Sequence, residues 1–383
     1  MEHGTLDAAL ARALDLAEHG PLVGGNPRVG CVIVDADGPI AEGWHRGAGT
    51  PHAEAAALAA VRPEDRGRLA RATALVTLEP CNHTGRTPPC AAALRDAGVP
   101  RVLYAVADPN PVAAGGAAWL RAHGVEAVTA RAGGLDPALV ARAEELLAGW
   151  SATVRRGRPW LIGKTATTLD GRVAAADGTS RWITSAASRA HAHEVRAQVD
   201  AIVVGTGTVL ADDPALTARA PGAARQPVRV VVGRRDVPAS ARVVTGPGEW
   251  LHLRTRDLTE VLGELHRRGL RRVLLEGGPT LLSAALREGL VDELHAYVAP
   301  VLLGAGAGAV SGLGIGTIGD AMRWDAHDVR RLGDDVFLSL RRTGPSEAPA
   351  SRRAEPAADR PGHPAHPDRS GRLVAATIHE GDE

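Results

Sequence analysis

The chain has 383 residues, more than one ordinary hydrophobic core accommodates, which argues for two domains and a remainder. Hydrophobic residues make up 44% and charged residues 23%, a globular balance, and 44 acidic residues cancel 44 Lys and Arg. Neutrality argues against a nucleic-acid surface, and with no apolar run of about 18 residues nothing spans a membrane.

The first twenty residues read as an amphipathic helix with acidic residues, lacking the basic start and apolar core of a signal peptide. A strand follows at Val29–Val34, then a helix that opens near Pro51 and runs through Ala53–Val61. Ala74–Leu78 reads as a strand, and Pro88-Pro89 starts a helix from about Cys90 to Ala97. Val102–Ala107 and Val125–Thr129 are strands; Gly115–His123 and Pro137–Gly149 are helices. Strands separated by helices of this length make an α/β sheet with helices on its faces, here a first domain over 1–149.

Arg155-Arg156-Gly157-Arg158-Pro159 reads as a polar linker. A second α/β pattern then occupies 158–343. Its expected strands are Trp160–Ala166, Ala201–Gly205, Val228–Val232, Arg272–Glu276, Glu293–Ala299 and Val336–Leu340. Its expected helices are Ala186–Gln198, Leu258–Arg268 and Thr280–Glu288. Residues 344–383 are rich in Pro, charge and small side chains and read as a disordered tail.

Three cysteines, Cys31, Cys81 and Cys90, are too few for a disulfide framework and fit a reducing cytoplasm. Two of them join a sharper pattern. His52 and Glu54 open a helix, and Cys81 and Cys90 bracket the loop between a strand and the next helix. Catalytic zinc takes three His or Cys ligands and leaves a fourth position for water, whose pKa it lowers. His52, Cys81 and Cys90 suit the metal, and Glu54 suits the proton transfers that a hydrolytic deamination of a nucleobase-like ring requires. His-x-Glu alone carries little weight; the combination carries much more. Eight residues separate the cysteines where two are usual, adding a polar loop in which His83 and Arg86 face substrate, with His83 as a competing ligand otherwise.

His52-Ala53-Glu54 together with Thr77-Leu78-Glu79-Pro80-Cys81 through Pro89-Cys90 resembles the bifunctional deaminase–reductases of riboflavin biosynthesis. Asn26-Pro27-Arg28-Val29-Gly30-Cys31 and Asp108-Pro109-Asn110-Pro111 also match that family, whose long inter-cysteine loop accounts for the spacing. The resemblance implies a cytidine-deaminase-like α/β/α domain in which Asn26 helps hold the pyrimidine.

In the second half, Gly205-Thr206-Gly207-Thr208 and Glu276-Gly277-Gly278-Pro279-Thr280 each follow a strand and open a helix, where free backbone N–H groups suit an anion such as a dinucleotide phosphate, though each alone reads more often as a tight turn. Neither is a complete Gly-x-Gly-x-x-Gly fingerprint. With Lys164, Leu169-Asp170-Gly171, Ser180-Arg181-Trp182 and Ala211-Asp212-Asp213-Pro214, they resemble the family's reductase, which has a dihydrofolate-reductase-like α/β fold. The resemblance implies NADPH against Ala166, Trp182, Thr208, Asp212 and the run Gly278, Pro279, Thr280, Leu281, Leu282, Ser283 and Ala284; Arg234, just past the Val228–Val232 strand, is placed to meet its 2′-phosphate. It implies substrate against Ser180, Arg196, Leu216, Arg219 and Glu276, the arginines meeting a ribose phosphate; Lys164, a compact charge, suits the ribose hydroxyls or phosphate. Lys164 is the only lysine in the chain.

The expected function is zinc-dependent deamination of 2,5-diamino-6-ribosylamino-4(3H)-pyrimidinone 5′-phosphate, followed by NADPH-dependent reduction of the ribosyl group to a ribityl chain. The expected partner is that small molecule, with homo-oligomerisation left open. Two rivals are a nucleoside or tRNA deaminase with an unrelated C-terminal domain, and a scaffold in which zinc is only structural. Charge neutrality and the reductase motifs oppose the first; Glu54, an acid that a structural site does not need, opposes the second.

Overall fold

The computed structural model describes residues 3–83, 88–222 and 225–342. The expected tail over 344–383 lies outside the described residues.

The first half contains α1 (His3–Glu18), β1 (Gly30–Asp35), β2 (Gly38–Trp44), α2 (Ala53–Ala59), β3 (Thr73–Leu78), α3 (Cys90–Asp96), β4 (Arg101–Val106), α4 (Gly116–Ala122), β5 (Glu126–Thr129) and α5 (Pro137–Arg156). They build a five-stranded sheet of order β2-β1-β3-β4-β5. Strand β1 runs antiparallel to both β2 and β3, while β3, β4 and β5 are parallel. Alternation along β1 sorts the layers: Cys31 and Ile33 face α2, α3 and α4, while Val32 and Val34 face α1 and α5. The contacts are close. A Cβ on Gly43 would lie 2.4 Å from Ala57 N, so only glycine lets α2 settle on β2 and carry His52 and Glu54 to the sheet's edge.

The second half contains β6 (Trp160–Thr168), α6 (Ala186–Ala197), β7 (Ala201–Gly205), α7 (Thr206–Asp212), β8 (Val228–Val232), α8 (Arg242–Thr245), β9 (Trp250–Leu253), α9 (Leu258–Arg267), β10 (Arg272–Leu275), α10 (Pro279–Arg287), β11 (Glu293–Ala299), β12 (Trp324–Leu332) and β13 (Asp335–Arg342). Their sheet has the order β12-β13-β11-β6-β10-β7-β8-β9. It is parallel from β11 to β9, with β13 and β12 added antiparallel. The apolar faces of α9 and α10 cover one side; Val195 of α6, Val209 of α7 and Val243 of α8 pack on the other.

The expected linker is a correction. Arg155 and Arg156 complete the last turn of α5, and Gly157 ends it in the left-handed conformation. Arg156 and Arg158 then both pair with the buried Asp292, which also accepts from Leu161 N at 2.8 Å. The segment is a pinned joint. Strands β2, β9 and β12, absent from the sequence-based expectation, all lie at sheet edges.

Candidate active site

Helix α2 begins at His52, whose extended backbone (φ −66°, ψ 163°) turns its ring toward the loop after β3. Helix α3 begins at Cys90, and Ala91 N donates to Cys81 O at 3.2 Å, closing the loop that carries both thiols. His52 Nδ1 lies 3.6 Å from Cys81 Sγ and 3.3 Å from Cys90 Sγ, and the three donor atoms fall within 4.8 Å of one another. That spacing and donor set fit a tetrahedral zinc with one position left open. The neighbouring Cys90 thiol, with His52 adding to the effect, holds Cys81 well below the ordinary thiol range, while Cys90 itself is raised.

Glu54 is buried in the same cavity, and burial pushes its carboxyl up to about 7. Such a group both accepts and releases a proton near neutrality. The cavity holds about 240 Å³ and is lined also by Asn26, His45, His83, Asp108 and Asn110. His83 lines it without joining the three-donor cluster, and its buried Nδ1 has no hydrogen-bond partner among the described residues. Arg86 lies outside the described residues.

Sequence reasoning assigned no role to three of these positions. His45 is held by Nδ1 against Pro51 O at 3.0 Å, and its ring meets that of His52 edge-on at 5.5 Å. The second and third, Asp108 and Asn110, sit on a loop fixed by buried Glu79, which accepts from Asp108 N at 3.2 Å and Ala117 N at 3.0 Å. A Cβ on Gly116 would reach to 1.8 Å from Pro80 O, so α4 requires glycine there to back this loop. The signal for His45 was its place seven residues before His52, which no periodicity marks.

The carboxyl ends of β7 and β8 and the start of α10 enclose a crevice of about 680 Å³, the usual ligand position in an open α/β sheet. Thr208, Asp212, Arg234, Gly278, Thr280, Leu281 and Ala284 line it, as do Arg235 and Arg256, which the sequence reading did not single out. The Thr208 hydroxyl accepts from Gly278 N at 3.3 Å and ties the two glycine turns together. Pro279, Leu282 and Ser283 do not line the crevice. Leu282 packs in the core, and the buried Ser283 hydroxyl accepts from Ser311 N. The helix turns these side chains inward while 280, 281 and 284 face out.

A neighbouring cavity of about 520 Å³ is lined by Lys164, Trp182, His193, Arg196 and Arg219. Trp182 belongs to this cavity, 72% exposed and stacked under Arg189. Lys164 lies 5.6 Å over the Tyr297 ring. Arg196 is not free for an anion: Nε and Nη2 donate to both oxygens of Glu276 at 2.6 and 2.7 Å, and Nη1 donates to Thr217 O. Burial alone would raise the Glu276 carboxyl, but the Arg196 guanidinium holds it at about 2. Arg219 Nη2 donates to His193 Nε2 at 2.8 Å. Leu216 is buried in the core, leaving only its backbone to meet a ligand; its φ is +52°. Ser180 is exposed, and Ala166 sits on β6 opposite Tyr297.

Residues 4–106 match the family model described as the cytidine and deoxycytidylate deaminase zinc-binding region, and residues 159–338 match the RibD C-terminal domain. The riboflavin biosynthesis protein RibD of Mycobacterium tuberculosis is 47% identical over 88% of this chain and 97% of its own length. RibD of Escherichia coli K12 is 39% identical over 86% and 98%. The solved structure of Acinetobacter baumannii RibD superposes with a TM-score of 0.79 at 36% identity, covering 90% of this chain and all of that one. A deaminase/reductase structure from Thermotoga maritima gives 0.78 at 30% identity, covering 89% and 99%.

Proposed function

The chain belongs to the RibD family of riboflavin biosynthesis enzymes, and we propose that the two sites described above carry the family's two reactions in sequence. It is a bifunctional enzyme, a zinc-dependent deaminase joined to an NADPH-dependent reductase. The substrate is 2,5-diamino-6-ribosylamino-4(3H)-pyrimidinone 5′-phosphate; its deaminated product is then reduced at C1′ of the ribose. The observation that carries the reading is the buried Glu54 beside three converging zinc donors.

His52, Cys81 and Cys90 hold the metal, which supplies an activated water at neutral pH when bound. Asn26 and the loop of Asp108 and Asn110 orient the pyrimidine in the cavity. Glu54 carries one proton of the attacking water to the ring nitrogen, then the second from the new hydroxyl to the amino group, whose C–N bond breaks to release ammonia and leave the carbonyl. Its pKa of about 7 suits both directions of transfer.

NADPH supplies the hydride for the second step. Thr208, Gly278, Thr280, Leu281 and Ala284 form its bed, with Asp212 at the rim and Arg234 toward the 2′-phosphate. Lys164 and Arg219 meet the ribosyl phosphate, and Trp182 covers it. Arg196 acts by fixing Glu276 as a carboxylate that faces the sugar. We assign the deaminase to 1–149 and the reductase to 158–343, and place the enzyme in the cytoplasm, where its free thiols stay reduced. No helix among the described residues is long and apolar enough to cross a membrane.

Ammonia release from the diaminopyrimidinone phosphate that stops on chelation and returns with zinc is the expected result. Release indifferent to chelation contradicts this assignment.

A further inference from the structure

Between the two sheets lies a smaller cavity of about 80 Å³ that adjoins the zinc cavity: Gly25, Asn26 and Trp150 line both. Its walls bring together Arg28, from the loop after α1, with Arg271 and Arg272, the latter opening β10. Arg28 Nε and Arg272 Nε are buried and make no hydrogen bond among the described residues. Arg28 donates to the carbonyl of Glu18, and Arg271 Nη1 to His266 O at 2.5 Å.

The acids within reach are committed elsewhere. Asp200 accepts from the backbone N–H groups of Gly24, Arg271 and Arg272 and pairs with Arg225. Glu18 pairs with Arg142, and Glu293 with His295 and the Trp160 N–H. The three arginines are thus left without an ion-pair partner among the described residues. Burial lowers the pKa of Arg28, opposed by Glu18 and reinforced by Arg272. Glu18, Asp200 and Glu293 offset part of the charge on Arg28, Arg271 and Arg272 from a distance, but none lies within ion-pair range, so an anion in the half-buried cleft that the three line would be favoured.

We propose that this cleft is an anion subsite for a phosphate monoester group, namely the 5′-phosphate of the molecule whose ring occupies the zinc cavity. The proposal rests on the deaminase assignment. A guanidinium fork matches phosphate oxygens, and three of them suit a dianion better than a carboxylate. The volume, equal to that of roughly two or three waters, admits a tetrahedral group and no second ring. Two of the three arginines come from the second sheet, so deaminase substrate is gripped by both halves of the chain.

The test compares deamination of the 5′-phosphate with that of the riboside lacking it, on the zinc-loaded full chain. Calorimetry with inorganic phosphate, with and without saturating substrate, accompanies it. Wild type is expected to favour the phosphate about a hundredfold in kcat/KM, through KM. Arg28→Gln and Arg272→Gln should each remove about tenfold of that preference, with Arg28→Lys retaining part of it. Inorganic phosphate that binds alongside saturating substrate, and weakens in Arg272→Gln, supports the anion subsite but assigns it to a separate phosphate ligand. A preference absent in wild type, or surviving both glutamine substitutions, overturns the proposal if phosphate binding is also unchanged. Failure to release ammonia from either compound, in a protein containing zinc, refutes the deaminase assignment itself.

Discussion

Asp200, at the start of β7, accepts a hydrogen bond from Gly24 N at 2.9 Å, joining the second sheet to the loop that carries Asn26 into the zinc cavity. The same carboxylate, almost wholly buried, accepts from the N–H groups of Arg271 and Arg272 at 2.9 and 3.0 Å. Asp200→Ala leaves three backbone donors unsatisfied and is expected to destabilise the chain by about 3 kcal/mol or more. In the folded fraction the deaminase KM should rise, because Asn26 loses its anchor. Denaturant unfolding and steady-state kinetics check the two effects separately.

Glu276 gives a pH dependence with a definite sign. Its carboxyl is held at about 2 in the folded chain, against an ordinary 4.5, because Arg196 outweighs the burial that opposes ionisation. A depressed carboxylate stabilises the fold above its unfolded pKa, and that contribution is lost as the pH falls from 4.5 toward 2. Acid unfolding should therefore steepen in this window and flatten in Glu276→Gln. At neutral pH, Arg196→Met should cost about 3–5 kcal/mol by stranding the buried carboxylate.

Glu54→Gln should keep zinc and fold while lowering deamination by about a hundredfold to ten-thousandfold. Reduction of supplied deaminated substrate by NADPH should be unaffected. Metal analysis, ammonia assay and NADPH oxidation on one preparation read all three. Undiminished ammonia release from the variant would remove Glu54 from the proton path.

Arg235 stands over the first glycine turn, its Nη2 2.9 Å from where a Cβ on Gly207 would be, and Arg256 lines the same crevice. Arg235→Gln should raise KM for NADPH about tenfold with a smaller change for NADH, since only NADPH offers a 2′-phosphate. Equal effects on both coenzymes would place Arg235 elsewhere.

The convergence of His52, Cys81 and Cys90, with Glu54 in the same cavity, was legible in the sequence because metal-site chemistry demands specific atoms in short local motifs at helix starts. Most central strands were legible for a related reason: residues 201–204 form a buried apolar run, and Val228–Val232 is apolar but for Arg229, which is itself buried. Edge strands carry no such signature. Gly38–Trp44 contains Gly and Pro, and Trp324–Leu332 carries five charged or histidine side chains among its nine, as edges that must resist further pairing tend to. The Arg-Gly-Arg-Pro joint looked like a linker because a helix C-terminus and a loop share that composition; only Asp292, more than 130 residues later, makes it rigid. The Arg196–Glu276 pair was hidden likewise, both residues being named as substrate contacts without their mutual contact being foreseeable.

The central claim is that one chain performs both steps on one ribosylated pyrimidine. The direct test incubates the zinc-loaded chain with the diaminopyrimidinone phosphate, with and without NADPH, and identifies the products by mass. Without NADPH the product should have one amino group replaced by oxygen; with NADPH it should also gain two hydrogens on the sugar. Unaltered starting material in both incubations, or a deaminated product that never gains hydrogen, would contradict the account.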